Sequence, residues 1–162
     1  MREVPDFPQP GILFQDISPL LADGAAFAAA MSGLAAGLVR VDIVAGVEAR
    51  GFLMAGALAR ELACGLVMIR KGGKLPPPTV RRAYQLEYGT AEIEVPLDLL
   101  DGRRVLLVDD VLATGGTMRA GAELIAEAGG TVAALAVLLE LDLLDGRAAV
   151  EKIAPLRSLL RV

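Results

Sequence analysis

Histidine and tryptophan are absent from this 162-residue chain, and there is one cysteine, Cys64. Without imidazole there is no histidine general base, no histidine metal ligand and no histidine-dependent triad. A single thiol makes neither an intramolecular disulfide framework nor a cysteine-based zinc cluster. Long hydrophobic runs are missing too. The longest, around Val132–Leu139, is strand-sized and far short of the ~20 residues a membrane span needs. The N-terminal MREVPDFPQPG has no apolar core of the kind a secretory signal requires. An excess of positive charge is also lacking: the net charge is −4 and the pI about 4.9, whereas a nucleic-acid footprint wants a basic domain. The expectation is a cytoplasmic protein with neither a membrane nor a nucleic-acid partner. Any catalysis must come from carboxylates, hydroxyls, Lys, Arg, backbone amides or a bound cation.

What the chain does have is apolar mass. Hydrophobic residues are 54% and charged residues 22%, which excludes intrinsic disorder. The length suits a single domain, and a domain of this size buries about two-thirds of its unfolded surface. Positive charge is concentrated in one place. Residues 70–82, RKGGKLPPPTVRR, carry Arg70, Lys71, Lys74, Arg81 and Arg82 with no acid among them, as a small anionic ligand would require.

Prolines make residues 1–11 irregular, and Ala25–Leu38 has helical spacing. Ile43–Val47 and Leu66–Ile69 are continuous apolar runs separated by a helix over Gly51–Leu62. Such runs are what a parallel strand covered on both faces requires. Gly72, Gly73 and Pro76–Pro78 prevent regular structure over 70–80. Ala83–Leu86 and Ala91–Val95 read as a half-exposed hairpin, with Glu92 and Glu94 on one face. Arg104–Val108 is a buried strand, Asp109–Thr117 a turn, Met118–Ala128 a helix and Val132–Leu139 another strand. The alternation predicts an α/β fold, a central parallel sheet flanked by helices, with its ligand crevice at the strands' carboxyl ends. The predicted organisation is one domain: a core of about 25–139, a mobile hairpin arm of about 81–95, and terminal segments 1–24 and 140–162 capping it as a hood.

The string VLLVDDVLATGGT, residues 105–117, carries the chemistry. Apolar residues run straight into Asp109 and Asp110, and Ala113, Thr114, Gly115, Gly116 and Thr117 then open a helix. A helix start offers unpaired N–H groups and a positive dipole end to an anion. Gly115 and Gly116 let a phosphate approach the backbone, and the threonines add hydroxyl donors. Two adjacent acids beside a phosphate cradle suit ribose hydroxyls or a hydrated Mg²⁺. The string is neither GxxxxGK[ST] nor GxGxxG.

Instead it resembles the phosphoribosyl-pyrophosphate (PRPP) motif of type I phosphoribosyltransferases. The resemblance extends over nearly the entire chain and points to the adenine-specific family. PDFPQPGILFQDISPLL (5–21), AGVEARGF (45–52), IRKGGKLP (69–76), YQLEYGTAEIE (84–94) and VLLVDDVLATGGTM (105–118) occur in that family's order. It implies a Rossmann-like fold and transfer of the ribose 5-phosphate of PRPP to adenine, giving AMP and pyrophosphate in purine salvage, with Mg²⁺ and as a homodimer. By the same resemblance the 113–117 loop binds the 5′-phosphate, while Asp109 and Asp110 hold the ribose hydroxyls directly or through Mg²⁺. Arg50, Arg70 and Lys74 would bind pyrophosphate. Glu87, on the arm, would act on adenine N7, and Leu13, Phe14 and Val111 would hold the base. A cis peptide is expected between Glu48 and Ala49. Many family members have Arg where this chain has Gln15. Two other readings stay open here: transfer to a different base, and a non-catalytic sensor of PRPP or nucleotides.

Overall fold

The structure, a computed structural model, describes residues 1–86 and 89–162. Glu87 and Tyr88, and with them the expected catalytic acid of the arm, lie outside the described residues.

The chain begins with an antiparallel pair, β1 (Arg2–Pro5) and β2 (Leu13–Asp16), with Val4 opposite Phe14. A short helix α1 (Ser18–Ala22) leads into α2 (Gly24–Ala35). Asp23 starts α2 by accepting from the Ala25 and Ala26 N–H groups at 3.0 Å each, which satisfies two of the donors a helix start leaves unpaired. The helix stops before Leu38, at a loop where Gly37 has φ +68°.

The main sheet comprises β3 (Ile43–Val47), β4 (Gly65–Lys71), β5 (Thr79–Leu86), β6 (Gly89–Pro96), β7 (Arg104–Leu112), β8 (Thr131–Glu140) and β9 (Leu156–Arg161). Its strand order is β5-β6-β4-β3-β7-β8-β9. The β4-β3-β7-β8-β9 portion is parallel, and the β5–β6 hairpin joins it antiparallel through β4. Helices α3 (Gly51–Glu61), α4 (Gly116–Glu127) and α5 (Gly146–Val150) follow β3, β7 and β8.

The continuous apolar strands resolve into two faces. Leu106, Val108, Ala134, Ala136 and Leu138 pack with α2 and α3, whereas Leu107, Val105, Leu135 and Val137 pack with α4. Successive strand residues point to opposite faces, so a run apolar at every position feeds two cores at once. Gly46 is required by this packing: a Cβ there would stand 2.6 Å from the Ala55 Cβ of α3. Among the described residues no helix is long and apolar enough to cross a membrane.

Beyond Arg2–Pro5, which form β1 where residues 1–11 read as irregular, three expectations change. First, β7 runs on through Asp109 and Asp110 to Leu112 instead of ending at Val108, because β8 keeps pairing with it (Val111 with Leu139, Leu112 with Glu140). Second, Leu156–Arg161, expected within the hood, add to the central sheet as β9, in parallel with β8. The β1–β2 pair forms a separate two-stranded sheet. Third, the base of the hairpin is anchored. Val80, Ile93 and Val95 belong to the core, and Arg82 reaches Glu123 of α4 at 2.7 Å. Glu94, expected half-exposed, is fully buried.

Candidate active site

Adjacent parallel strands β4, β3 and β7 end on the same side of the sheet, and their following loops form the site. After β7, the chain turns at Ala113–Gly115 into α4. Gly115 is the residue before the helix and has φ +82°, in the left-handed region, where a glycine carries no steric penalty. No side chain caps this helix start, so the first-turn N–H groups of Gly116, Thr117 and Met118 are free for an anion. The loop is seated on α5: a Cβ on Gly115 would stand 3.0 Å from the Gly146 carbonyl oxygen, and one on Gly146 would collide with the Ala113 carbonyl. Thr114 is exposed at the loop's tip, and Thr117 is half-buried.

One turn earlier, Arg50, Asp110 and Phe14 meet. Arg50 Nη2 lies 2.6 Å from Asp110 Oδ2, and the guanidinium carbon sits 5.5 Å from the centroid of the Phe14 ring. Gly51 brings the start of α3 against Asp109, for a Cβ there would be 3.0 Å from the Val108 carbonyl oxygen. Asp109 Oδ1 accepts the Asp110 N–H at 2.9 Å. Burial, then the neighbouring Asp110 charge, push the Asp109 carboxyl well above the usual carboxylate range. Asp110 Oδ2 is buried, and apart from its ion contact with Arg50 it has no aligned hydrogen-bond donor among the described residues. Such an acceptor suits a sugar hydroxyl or the water of a hydrated cation. The described residues contain no cluster of three or more metal-ligating side chains. Two carboxylates fit a Mg²⁺ that keeps waters and takes its other oxygens from a phosphate ligand.

Glu48 joins the loops after β3 and β4. Its carboxylate accepts the Lys71 N–H at 2.9 Å and Arg70 Nε at 3.2 Å. The Lys71 N–H, then the Arg70 side chain, hold the Glu48 carboxyl below its ordinary range against the opposing effect of burial. The Glu48–Ala49 peptide is cis, as expected. Arg70 also donates to the Lys74 carbonyl at 3.4 Å, while Lys74 itself is exposed.

The hood closes the site's remaining side. Phe7 and Phe14 stack edge-on with centroids 5.1 Å apart. With Val4, Asp16, Leu21 and Arg50 they line a cleft of about 520 Å³. Leu13 is exposed, and Val111 is half-buried beside Asp110 on β7. Gln15 is buried and donates to Glu3 of β1 at 3.3 Å, within the hood.

The structure thus brings Arg50, Asp109, Asp110, Phe14 and the 113–117 loop together, while Glu48 fixes Arg70, and Arg70 in turn meets the Lys74 main chain. Four supporting residues escaped sequence reasoning. Glu48 and Glu94 read as strand-end and hairpin acids. Buried Glu140 and half-buried Arg147 form an ion pair, with Arg147 Nε 2.7 Å from Glu140 Oε1, beside Gly146. An acid terminating an apolar run, as Glu140 does, was the one available signal.

Residues 20–155 match the family described as phosphoribosyl transferase domain. The adenine phosphoribosyltransferase of Mycobacterium avium is 53% identical over 157 residues, spanning 96% of this chain and 86% of that one. The crystal structure of adenine phosphoribosyltransferase from Thermoanaerobacter pseudethanolicus aligns with a TM-score of 0.93 at 44% identity, covering 99% of this chain and 95% of that one. The enzyme from Giardia lamblia, complexed with 9-deazaadenine, aligns with a TM-score of 0.94 at 39% identity over 99% of this chain and 93% of its own. An uncapped glycine turn after β7, paired aspartates at that strand's end and a basic loop after β4, on a chain this similar to those enzymes throughout, place it in the adenine phosphoribosyltransferase family.

Proposed function

We propose that the protein transfers the 5-phosphoribosyl group of PRPP to N9 of adenine, forming AMP and releasing pyrophosphate, in purine salvage. The observation that carries this reading is the left-handed turn at Gly115, which leaves the first-turn amides of α4 open beside Asp109 and Asp110.

The 113–117 amides and threonine hydroxyls hold the 5′-phosphate. Asp109 and Asp110 accept the ribose 2′- and 3′-hydroxyls, which orients C1′. As the bond from C1′ to the pyrophosphate oxygen breaks, the ring gathers positive charge, and the two nearby carboxylates stabilise it. Arg50, Arg70 and Lys74 take up the negative charge that develops on the departing pyrophosphate; a planar guanidinium suits it by paired hydrogen bonds. Adenine N9 forms the new bond to C1′, and its proton leaves. Phe14, Leu13 and Val111 hold the base. Glu87 is proposed for N7 on the strength of the family motif alone. Asp109 and Asp110 would help hold a Mg²⁺ arriving with PRPP, which would neutralise pyrophosphate charge.

The homodimer belongs to the same proposal. Leu53 of α3 and Leu66 and Met68 of β4 are 52%, 45% and 41% exposed on packed neighbouring elements, an apolar face that a second copy would cover. So does the cytoplasmic setting.

The test is incubation with Mg²⁺ and PRPP against adenine, hypoxanthine, guanine and uracil in turn. AMP formed with adenine, and little product with the others, is expected. Product with another base instead overturns the base assignment. Nucleotide binding without turnover on any base identifies a sensor.

A further inference from the structure

The basic loop between β4 and β5 is held by an acid that the reaction as described does not use. Glu94, on β6, is fully buried. Its Oε1 accepts the main-chain N–H groups of Lys74 at 2.6 Å and Leu75 at 2.7 Å. Its Oε2 accepts the Thr79 hydroxyl at 3.3 Å and lies 3.0 Å from Arg81 Nε. Thus one carboxylate spans Lys74 to Thr79 of a Gly- and Pro-rich segment. Among the described residues, the segment's main chain otherwise bonds to β6 and the residue after it only near its ends, through the Gly72 N–H to the Glu92 carbonyl and the Leu97 N–H to the Pro78 carbonyl. The clamp is grounded in the sheet, because Arg70 and Glu94 are direct partners in the β4–β6 register.

The bases of this segment divide into two kinds. Arg70 pairs with Glu48, Arg81 with Glu92 and Glu94, and Arg82 with Glu123 and Glu127. The Lys71 and Lys74 ammonium groups have no ion-pair partner among the described residues. Glu94 therefore binds the Lys74 main chain and leaves its charge unspent. A turn needing only an acceptor would be closed by a neutral amide. A buried carboxylate is costly to desolvate unless donors surround it, as they do here, and it offsets the mutual repulsion of the basic loop before a polyanion arrives.

We propose that Glu94 is a positioning residue for the pyrophosphate subsite, presenting Lys74 to the leaving group by pinning its main chain. This rests on the reading above that Lys74 serves pyrophosphate. Small misplacements of a binding group cost up to ~100-fold in rate.

The experiment uses the full chain. Mg²⁺-pyrophosphate binding is measured by calorimetry, and KM is measured separately for PRPP and adenine, in wild type, E94Q, K74A and the double variant. E94Q is expected to raise the pyrophosphate Kd and the PRPP KM by about tenfold or more, with the adenine KM within about twofold. In the K74A background E94Q should add little, since both changes disable one contact. Unchanged pyrophosphate binding in E94Q, or losses that simply multiply in the double variant, overturns the proposal. Should E94Q not fold, E94D, whose carboxylate is withdrawn by one methylene, is measured in the same way. Wild-type binding in E94D likewise overturns it. If the wild-type protein itself binds no pyrophosphate, the parent reading has failed; if it binds and the variants match it, only the role of Glu94 has.

Discussion

The Arg50 guanidinium stands 2.6 Å from the Asp110 carboxylate and lies over the Phe14 ring at 5.5 Å. One side chain thereby touches the acid expected to hold the ribose and the aromatic expected to hold the base. Removing it should do two things. In R50M the PRPP KM should rise by about tenfold or more, because the guanidinium proposed to donate to pyrophosphate is gone. The ligand-free protein also loses about 1–2 kcal/mol, discounted because Arg50 is 41% exposed. R50M/D110N should recover that stability without recovering activity, as thermal melts and initial rates would reveal.

Asp109 carries a second prediction, in pH. Its folded carboxyl holds a proton more tightly than the unfolded one does. Hence the folded state binds the extra proton above the ordinary carboxylate range, and stability falls as pH rises from there through the raised value. D109N should remove this slope and raise the melting temperature of the ligand-free protein near neutral pH. It should also cut ribosyl transfer by about 100-fold or more, the scale of losing a preorganised electrostatic group. A variant whose melting curve keeps the wild-type pH slope contradicts the assignment.

Glu140 and Arg147 behave oppositely. Hydrogen bonds from Arg147, opposed by burial and aided by Ser158 at 2.7 Å, lower the Glu140 carboxyl to about 2. The stabilisation is complete above the ordinary carboxylate value and is lost as pH falls towards 2. R147M leaves a carboxylate that is only 2% exposed without its main partner, at a cost of about 3–5 kcal/mol. Most of this should return in E140Q/R147M. Denaturant melts at neutral pH and at pH 3 distinguish the two variants.

Gly146 tests the support beneath the 113–117 turn. A methyl there meets the Ala113 carbonyl oxygen, a backbone atom that gives way only if the turn moves. G146A should therefore raise the PRPP KM by about tenfold or more while the adenine KM changes little. Equal changes in both would mean that the turn does not bind the phosphate.

Much of this was legible in the chain itself. Unbroken apolar runs declared parallel strands, the spacing over Ala25–Leu38 a helix, and DDVLATGGT an acidic pair at a strand's end followed by a turn into a helix. Each is a local property: side-chain volume at every position, helical spacing, glycines where the backbone must turn. Less legible was the reach of β7 beyond Val108, which depends on β8 continuing beside it, and the entry of Leu156–Arg161 into the sheet, which depends on an edge left open by β8.

The residues alone therefore indicated the α/β class and a turn suited to an anion, because those follow from periodicity and from chemistry packed into a dozen consecutive positions. Tertiary structure alone decided that Glu94 is interior, that Glu48 and Glu140 are clamps, and that Arg50 meets both Asp110 and Phe14. A carboxylate's role is set by the donors that surround it, and these donors come from segments far away in the chain.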